Sequence, residues 1–418
     1  MAETSELAFP VTQKQPMQER AVNEPGASAS VKRNVAVDAY RGFVMLLMMG
    51  EVLRFSEVAL SFPGSRFWRI LSYNQSHVQW TGMSLHDMIQ PSFTFLVGVA
   101  LPYSLRSRRR KGETLQHMVG HTLWRSFLLI AIGIFLRSTS SPSTNFTFED
   151  TLTQIGLGYT FAFLLTLYPP RWQWITFGAI LFGYWLAWAL YPAPGPNFAY
   201  GSVGVPPEWH QHLFKGFASH WNKNSNLGQA FDVWFLNLFP RPTPFVFNEG
   251  GYLTLSFIPT LGTMLLGLAA GRWLLAAAPD IPIRKFLLAA AALIGAGLLL
   301  HFTGLCPIVK RIWTPAWTLF SGGMCFLFLA AFSWIVDIKK QSRIAFPLVV
   351  VGMNSIAAYL IAHLFEEFAQ SSFRINLGST ALDLFGPALQ PLFLGMLTLG
   401  VYWLILFWMF RNKIFIRI

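Results

Sequence analysis

Long apolar segments, separated by short polar stretches, dominate the chain after residue 34. Most of them approach the roughly 20 residues that a helix needs to cross the hydrocarbon core of a bilayer. They do not alternate as barrel strands do, and only helices and closed barrels satisfy their backbone groups in lipid. The pattern therefore predicts ten membrane helices, at about 41–59, 83–105, 117–136, 153–168, 172–191, 253–275, 286–303, 315–336, 346–365 and 389–410.

The amino-acid composition agrees with a chain that lies mostly within a lipid bilayer. Of the 418 residues, 53% are hydrophobic and only 12% are charged, about half the charged fraction of an average soluble domain. Basic residues form clusters between the apolar segments, as in 106–111 and 339–340. The excess of Lys and Arg on one side predicts that both termini are cytoplasmic. The expected fold class is an all-α integral membrane protein, a polytopic helical bundle.

The net charge of +12 raises the question of nucleic-acid binding. No RNA- or DNA-binding motif accompanies this charge, and the basic residues are not gathered on one face, so no nucleic-acid partner is predicted. The two cysteines, Cys306 and Cys325, lie in neither a CxxC nor a CxxH setting, so no metal site is predicted. The expected partner is the lipid bilayer, and a homodimer is compatible with the sequence.

The apolar segments define one transmembrane domain over 37–418, preceded by a polar stretch. Residues 1–36 are rich in polar residues and lack the apolar core of a signal peptide, so a disordered cytoplasmic tail is expected there. Two outer segments, 60–82 and 192–252, are unusually long and rich in Trp, His and Asn. Long loops of this kind are commonly functional. We expect them to pack over the bundle and wall an outward-facing cavity.

Candidate chemistry concentrates where the first long outer segment enters the second apolar segment. His77 is expected at the outer mouth and Asp87 one to two turns inside the membrane, where a charged group needs a partner or a wet cavity. An imidazole beside a carboxylate suits acyl transfer, as a general base towards an amine or as the nucleophile that carries the acyl group. A purely structural histidine is the alternative interpretation, and His86 is an equal rival on this evidence.

Other charged residues interrupt the apolar segments and allow more than one interpretation. Asp38 and Arg41 have the i,i+3 spacing of a local helical ion pair. Arg125, inside the third segment, could pair with Asp87 or Glu51, or could hold a phosphate group.

Polar residues nearer the C-terminus are equally open to interpretation. Asn354 lies among small residues, where bonding between helices is the more common role. Glu249 precedes the sixth segment and could point into the cavity, whereas Glu366 and Glu367 at a helix end favour a solvated role. The chain has no GxxxxGK[ST] motif and no GxGxxG after a strand. A CoA-type donor would therefore bind among the helices through scattered Arg and Lys.

A series of short motifs follows one order along nearly the whole chain after residue 36. Taken together, the motifs resemble the heparan-alpha-glucosaminide N-acetyltransferase family, and the short N-terminal tail fits a bacterial relative. The series comprises Val37-Asp-Ala-Tyr-Arg-Gly42, His77-Val-Gln-Trp-Thr-Gly82, Asp87-Met-Ile-Gln-Pro91, Phe95-Leu-Val-Gly98, Trp124-Arg-Ser126, Glu249-Gly250, Gly267-Leu-Ala-Ala-Gly271, Cys306-Pro307 with Lys310 and Trp313, Gly352-Met-Asn-Ser355 and Lys413-Ile-Phe415.

The resemblance implies a polytopic enzyme that moves an acetyl group from acetyl-CoA, on the cytoplasmic side, to an amine or hydroxyl of a glucosamine-type sugar or envelope glycan outside. The family's catalytic histidine precedes a Trp-x-Gly, which points to His77 rather than His86, and Asp87 matches the family's aspartate. The bacterial inner membrane is the expected location. Contacts to substrate or cofactor are expected from Trp80, Arg41, Asp38, Arg125, Glu249, Lys310 and Asn354.

The sequence also departs from the family pattern. The family's asparagine near the outer end of the first helix falls here at Glu51 or Val52, and its Gln-Arg before the fourth segment appears as Thr153-Gln154. Composition alone suits a transporter or flippase for a sugar or lipid equally well, and a catalytically inactive membrane scaffold is a third alternative. For a transporter, Asp87 and Glu51 should matter more than His77.

Overall fold

Helices account for nearly all regular structure in residues 34–416, which are the residues that the computed structural model describes, apart from the Ser379 side chain. The predicted tail lies almost wholly outside this range. Within it, one isolated antiparallel bridge joins Thr81 to Val309. The helices are α1 Val35–Met49, α2 Phe55–Ser61, α3 Arg66–Gln75, α4 Ile89–Arg110, α5 Leu115–Ser138, α6 Thr151–Thr166, α7 Pro170–Leu190, α8 Leu227–Leu236, α9 Phe257–Ala277, α10 Ile283–Phe302, α11 Pro315–Phe332, α12 Ser342–Met353, α13 Ser355–Leu364, α14 Glu366–Leu382, with a break in helical geometry at Gly378, and α15 Gln390–Arg411.

Seven helical stretches in the described part of the chain are long and apolar enough to cross a membrane. An eighth span results if α12 and α13, which are bent by 70° at Asn354, are counted together. The all-α membrane fold is thus confirmed. Because α1 and α6 have only 15 and 16 residues, the number of ten spans remains a prediction, as does the side on which the termini lie. The seven stretches are His86–Arg110, Leu115–Ser138, Pro170–Leu190, Thr254–Ala277, Ile283–Phe302, Pro315–Ile338 and Pro387–Arg411.

The first helix begins earlier and ends earlier than the sequence predicts. It ends at Met49, and a short 3-10 turn leads to Arg54, whose φ of 50° lies in the left-handed region. Gln75 makes this interruption stable, because its amide donates to the Gly50 carbonyl (2.6 Å) and accepts from the Phe55 N–H (2.7 Å). Backbone groups freed at a helix end must find such partners. The predicted continuous helix over 41–59 is therefore wrong in its second half.

Several helix starts follow directly from capping residues in the sequence. The Asn34 side chain accepts from the Val37 N–H (3.0 Å) to open α1, and Asp150 accepts from the Leu152 N–H (2.9 Å) to open α6. Short polar side chains of this kind satisfy N–H groups that have no partner inside the helix. Pro315 occupies the first position of α11, where its missing N–H costs nothing.

A close crossing of α4 and α9 lies at the centre of the bundle. Gly98, Gly267 and Gly271 face the opposing helix, and a Cβ atom built on Gly267 would overlap the Phe95 carbonyl oxygen. A Cβ atom on Gly98 would likewise overlap the Met264 carbonyl oxygen. Small residues at such positions let helix backbones approach closely in a bilayer. The crossing fixes α4, and with it the turn that immediately precedes α4.

The two long segments fold into short helices and pack against each other beside that turn. The first contains α2 and α3, and the second contains α8. Trp80, fully buried, donates from Nε1 to the Trp221 carbonyl (3.1 Å) and packs on Gly251, whose φ is +74°. Arg311 donates to the Gly250 carbonyl (2.6 Å), which ties the second segment to the loop before α11. These contacts bring three distant parts of the chain together above the bundle.

Replacing Gly267 with alanine should destabilise the protein by about 1–3 kcal/mol, because the added methyl group would force α4 and α9 apart. Gly178→Ala is the matched control, since a Cβ atom there has no neighbour within 4 Å. That variant should be neutral or slightly stabilising through better helix propensity. Thermal unfolding of the detergent-purified variants measures both effects. Equal melting temperatures for the two variants would contradict the importance of the crossing.

Candidate functional site

Asp87 is the centre of a cluster at the mouth of the bundle. It lies in the 3-10 turn His86–Met88 that leads into α4, and its side chain is only 1% exposed. Its Oδ2 atom accepts from the N–H groups of Val78 (3.2 Å) and Ser84 (3.0 Å), and the Ser84 hydroxyl lies 3.0 Å from the same oxygen. These donors replace the hydration that the buried carboxylate has lost. The carboxylate is thereby held in one orientation.

The other carboxylate oxygen is directed at His77. The His77 Nδ1 atom lies 2.7 Å from Asp87 Oδ1, and 34% of the His77 side chain remains exposed. The tautomer that satisfies this contact carries its proton on Nδ1, which leaves the lone pair on Nε2. The predicted meeting of His77 and Asp87 is therefore present, and His77, rather than its rival His86, is the histidine that Asp87 orients.

Lys310 completes the cluster from the loop before α11. Its side chain is 5% exposed, and its Nζ atom lies 3.5 Å from Asp87 Oδ1. The same Nζ atom is 3.1 Å from His77 Nδ1 and 3.4 Å from Nε2, so the ammonium group faces the imidazole. The bridge between Thr81 and Val309 sets this approach. The sequence predicted Lys310 as a substrate contact but carried no signal of this pairing with His77.

The electrostatics of the cluster favour an uncharged imidazole. The pKa of His77 falls from 6.5 to about 4, mainly because the ring is buried and in part because Lys310 is positively charged, whereas the hydrogen bond to Asp87 opposes the shift. Burial also lowers the pKa of Lys310 from 10.5 to about 8, against the opposing pull of Asp87. At neutral pH the imidazole of His77 is therefore uncharged while Lys310 still carries a positive charge.

His86 forms a second pair beside the first. Its Nε2 atom lies 2.9 Å from Glu51 Oε1, and the rings of His86 and His77 are 4.5 Å apart between centroids. His86 is 8% exposed, whereas 56% of the Glu51 side chain faces solvent. Glu51 is positioned by the interruption after α1, where it belongs to the 3-10 turn. The mouth thus holds two histidine–carboxylate pairs, one with a buried carboxylate and one with an exposed carboxylate.

Aromatic residues from the long segments form the wall around His77. Tyr252 stands with its ring 6.3 Å from the His77 ring, and the guanidinium of Arg311 lies 5.2 Å from the centre of the Tyr252 ring. Trp80 packs edge-on against Trp209 at 6.1 Å. Trp80 therefore belongs to the layer of residues that supports the wall. Its ring is buried, so the structure gives it a packing role and not the predicted contact with substrate.

Three predicted contact residues lie apart from this cluster. Asp38 and Arg41 form the i,i+3 ion pair that their spacing predicts, with 3.4 Å between Asp38 Oδ1 and Arg41 Nη1. Arg125 donates to the Tyr159 hydroxyl on α6 (3.0 Å) and lies over the same ring. The suggested pairing of Arg125 with Asp87 or Glu51 is wrong, because helix α5 directs this side chain towards α6.

Two further predicted residues have other surroundings. Glu249 is exposed at the turn before Gly250. Asn354 is fully buried at the bend between α12 and α13, where its amide donates to the Ile414 carbonyl (2.8 Å) and accepts from the Ile416 N–H (3.1 Å). It therefore ties the bend to the segment after α15, instead of bonding to a neighbouring helix.

Asp87→Asn should destabilise the protein by about 3 kcal/mol, because it leaves the buried ammonium of Lys310 without an opposite charge. The double variant Asp87→Asn/Lys310→Met should recover part of the loss. Glu57→Gln is a matched control, since Glu57 pairs with Arg54 at 3.6 Å on the exposed surface and should contribute less than about 1 kcal/mol. Unfolding in detergent tests the set, and an Asp87→Asn loss as small as the control's would contradict the role of the buried pair.

No protein-family model matches the chain. Two curated proteins resemble it over most of its length. The human heparan-alpha-glucosaminide N-acetyltransferase is 25% identical over 381 residues, which cover 82% of this chain and 54% of that protein. The mouse heparan-alpha-glucosaminide N-acetyltransferase is 23% identical over 378 residues, which cover 81% of this chain and 55% of that protein.

The chain thus spans about half the length of the curated relatives that it matches. The similarity extends over about four-fifths of this chain, in agreement with the ordered motif series in its sequence. The chain is therefore similar to the heparan-alpha-glucosaminide N-acetyltransferases over most of its length, and the family resemblance carried by its motifs is confirmed.

Proposed function

We propose that this multi-pass membrane protein transfers an acetyl group from acetyl-CoA to an amine, or a hydroxyl, of a glucosamine-type sugar. The observation that carries the proposal is the contact of 2.7 Å between His77 and the buried Asp87, in a chain similar to two N-acetyltransferases. The partly exposed imidazole has an unprotonated Nε2 atom, which acyl transfer requires, and Asp87 holds the ring in position.

His77 can serve the transfer in either of two ways. As a general base, Nε2 removes a proton from the acceptor nitrogen while that nitrogen attacks the thioester carbonyl. As a nucleophile, Nε2 itself attacks the carbonyl, releases the CoA thiolate and carries the acetyl group to the acceptor. In both routes Asp87 stabilises the imidazolium that forms. The Lys310 ammonium, 3.4 Å from Nε2, stands where it can stabilise negative charge on the carbonyl oxygen.

The location of the reaction follows from the proposed orientation of the chain. With both termini cytoplasmic, the mouth that holds His77 faces the outer side of the membrane. The acceptor would then be an outer sugar or envelope glycan, and the donor would come from the cytoplasm. We propose the bacterial inner membrane as the compartment.

Acetyl-CoA should raise the melting temperature of the detergent-purified wild type, because a ligand that binds the folded state stabilises it by mass action. The same shift is expected in His77→Ala, whereas acetyl transfer to glucosamine should fall by at least about 100-fold in that variant. His210→Ala, which changes an exposed histidine of the second long segment, should keep full activity. No stabilisation by millimolar acetyl-CoA, together with no transfer by the wild type, would leave sugar or lipid transport as the better account.

His77 should titrate well below pH 6.5, near pH 4, because burial and the charge of Lys310 disfavour its protonation. Lys310→Met should raise this pKa, since it removes a neighbouring positive charge. Histidine ring NMR signals, recorded against pH and assigned by their loss in His77→Gln, measure both values. A wild-type midpoint at 6.5 or above that Lys310→Met leaves unchanged would contradict the proposed electrostatics.

A further inference from the structure

Forming an amide from an ammonium group requires the nitrogen to lose two protons. At neutral pH a primary amine is largely protonated, because aliphatic amines have a pKa of roughly 8 to 10. In the balanced reaction, R–NH3+ and CH3CO–S–CoA give R–NH–COCH3, HS–CoA and one free proton. One nitrogen proton thus ends on the CoA sulfur, and the other must leave the site. Acetyl transfer at this site therefore needs two proton-accepting events.

The cluster of Asp87, His77 and Lys310 supplies one such acceptor. His77 Nε2 can pass a proton from the nitrogen to the leaving thiolate, and it has no free lone pair while it carries an acetyl group. Asp87 is 1% exposed and already accepts from His77 and from the backbone of the turn. Lys310 is a cation whose Nζ atom lies 3.1 Å from His77 Nδ1, and its charge repels an ammonium group. The remaining proton needs another acceptor.

The pair of His86 and Glu51 has the position and the chemistry for this task. Its imidazole is 4.5 Å from the His77 ring, and Glu51 presents an exposed carboxylate on the solvent side. Glu51 Oε1 holds His86 Nε2 at 2.9 Å, and in the described part of the chain Oε2 has no polar contact. Other titratable groups that face the pair are His77, Lys310, Arg54, His363 and Tyr359, and Glu51 contributes an accessible negative charge beside His77.

We propose that Glu51 binds the ammonium group of the acceptor and that His86 accepts its first proton. This inference rests on the proposed acetyl transfer. The N–H bond to the departing proton breaks, and an N–H bond forms on the imidazole, which becomes an imidazolium paired with Glu51. The neutral amine then attacks the acetyl carbon, the bond from that carbon to the CoA sulfur breaks, and His77 passes the second proton from the nitrogen to the departing thiolate. The imidazolium releases its proton to the outer solution past the exposed carboxylate. His86 is in this scheme a catalytic base, and Glu51 is a binding and positioning residue.

The charge of Glu51 bears on which acceptor the pair can take. Its carboxylate stands 2.9 Å from a histidine. A neutral amide could hold a sugar hydroxyl equally well. A carboxylate favours a cationic acceptor, so the pair selects an amine over a hydroxyl group.

The first test follows the rate of glucosamine acetylation against pH in the full-length protein. Glu51→Gln and His86→Asn should lower kcat/KM by about 100-fold at pH 6, where the acceptor is protonated. The loss should shrink towards none as the pH rises above the pKa of the amine, because the free amine no longer needs the pair. Glu57→Gln, a neighbouring exposed carboxylate paired with Arg54, should show wild-type rates throughout. A loss of equal size at every pH would overturn the proposal.

The second test does not depend on turnover. At pH 6, glucosamine should raise the melting temperature of the wild type and of Glu57→Gln more than N-acetylglucosamine does, and Glu51→Gln should lose this difference. No preference in the wild type, or an equal preference in Glu51→Gln, would overturn ammonium binding by Glu51. The protein could also show a preference for glucosamine that depends on Glu51 and yet transfer no acetyl group. That result would retain the binding role of Glu51. It would overturn the role of His86 as the base in acetyl transfer and refute the acetyltransferase function itself.

Discussion

Removing a carboxylate from water costs several kcal/mol unless donors and opposite charge replace the lost hydration. Asp87 meets this constraint with groups from three separate parts of the chain: the loop that ends the first long segment, the turn before α4, and Lys310 in the loop before α11. The groups that stabilise the buried Asp87 carboxylate are thus the same groups that form the site. The loops around Trp80 and Arg311 are also held in place, because their side chains donate to the carbonyl groups of Trp221 and Gly250 in the second long segment.

The sequence predicts the helices of the membrane domain well because hydropathy and capping are local properties. Asp150 caps α6 and Pro315 opens α11, and both effects depend only on neighbouring residues in the sequence. The order of the motifs also places His77 and Asp87, ten residues apart, at one mouth. Lys310 lies 233 residues from His77, and no local pattern reports such a contact. Arg125 shows the opposite failure, since an arginine inside an apolar segment suggests an ionic partner, whereas here it donates to the hydroxyl group of Tyr159.

Both histidine pairs use the same chemical groups in different surroundings, and solvent access decides what each can do. The carboxylate of Asp87 is almost completely shielded from water, and it orients His77 and balances the charge of the cluster. The exposed carboxylate of Glu51 remains in contact with the outer solution. The interruption after α1, which Gln75 stabilises, is what carries Glu51 to that position. A continuous first helix would have directed this segment of the chain elsewhere.

The hydrogen bonds of Asn354 have a consequence for biogenesis. A growing chain enters the bilayer in order, and the bend between α12 and α13 is synthesised about sixty residues before the backbone groups that its amide binds. Until those residues emerge from the ribosome, the buried amide must remain hydrated or bind elsewhere, because an unpaired polar group in lipid is costly. The bend can therefore reach its final geometry only after α15 has been inserted. Folding of this bend is thus completed only when the segment after α15 is in place.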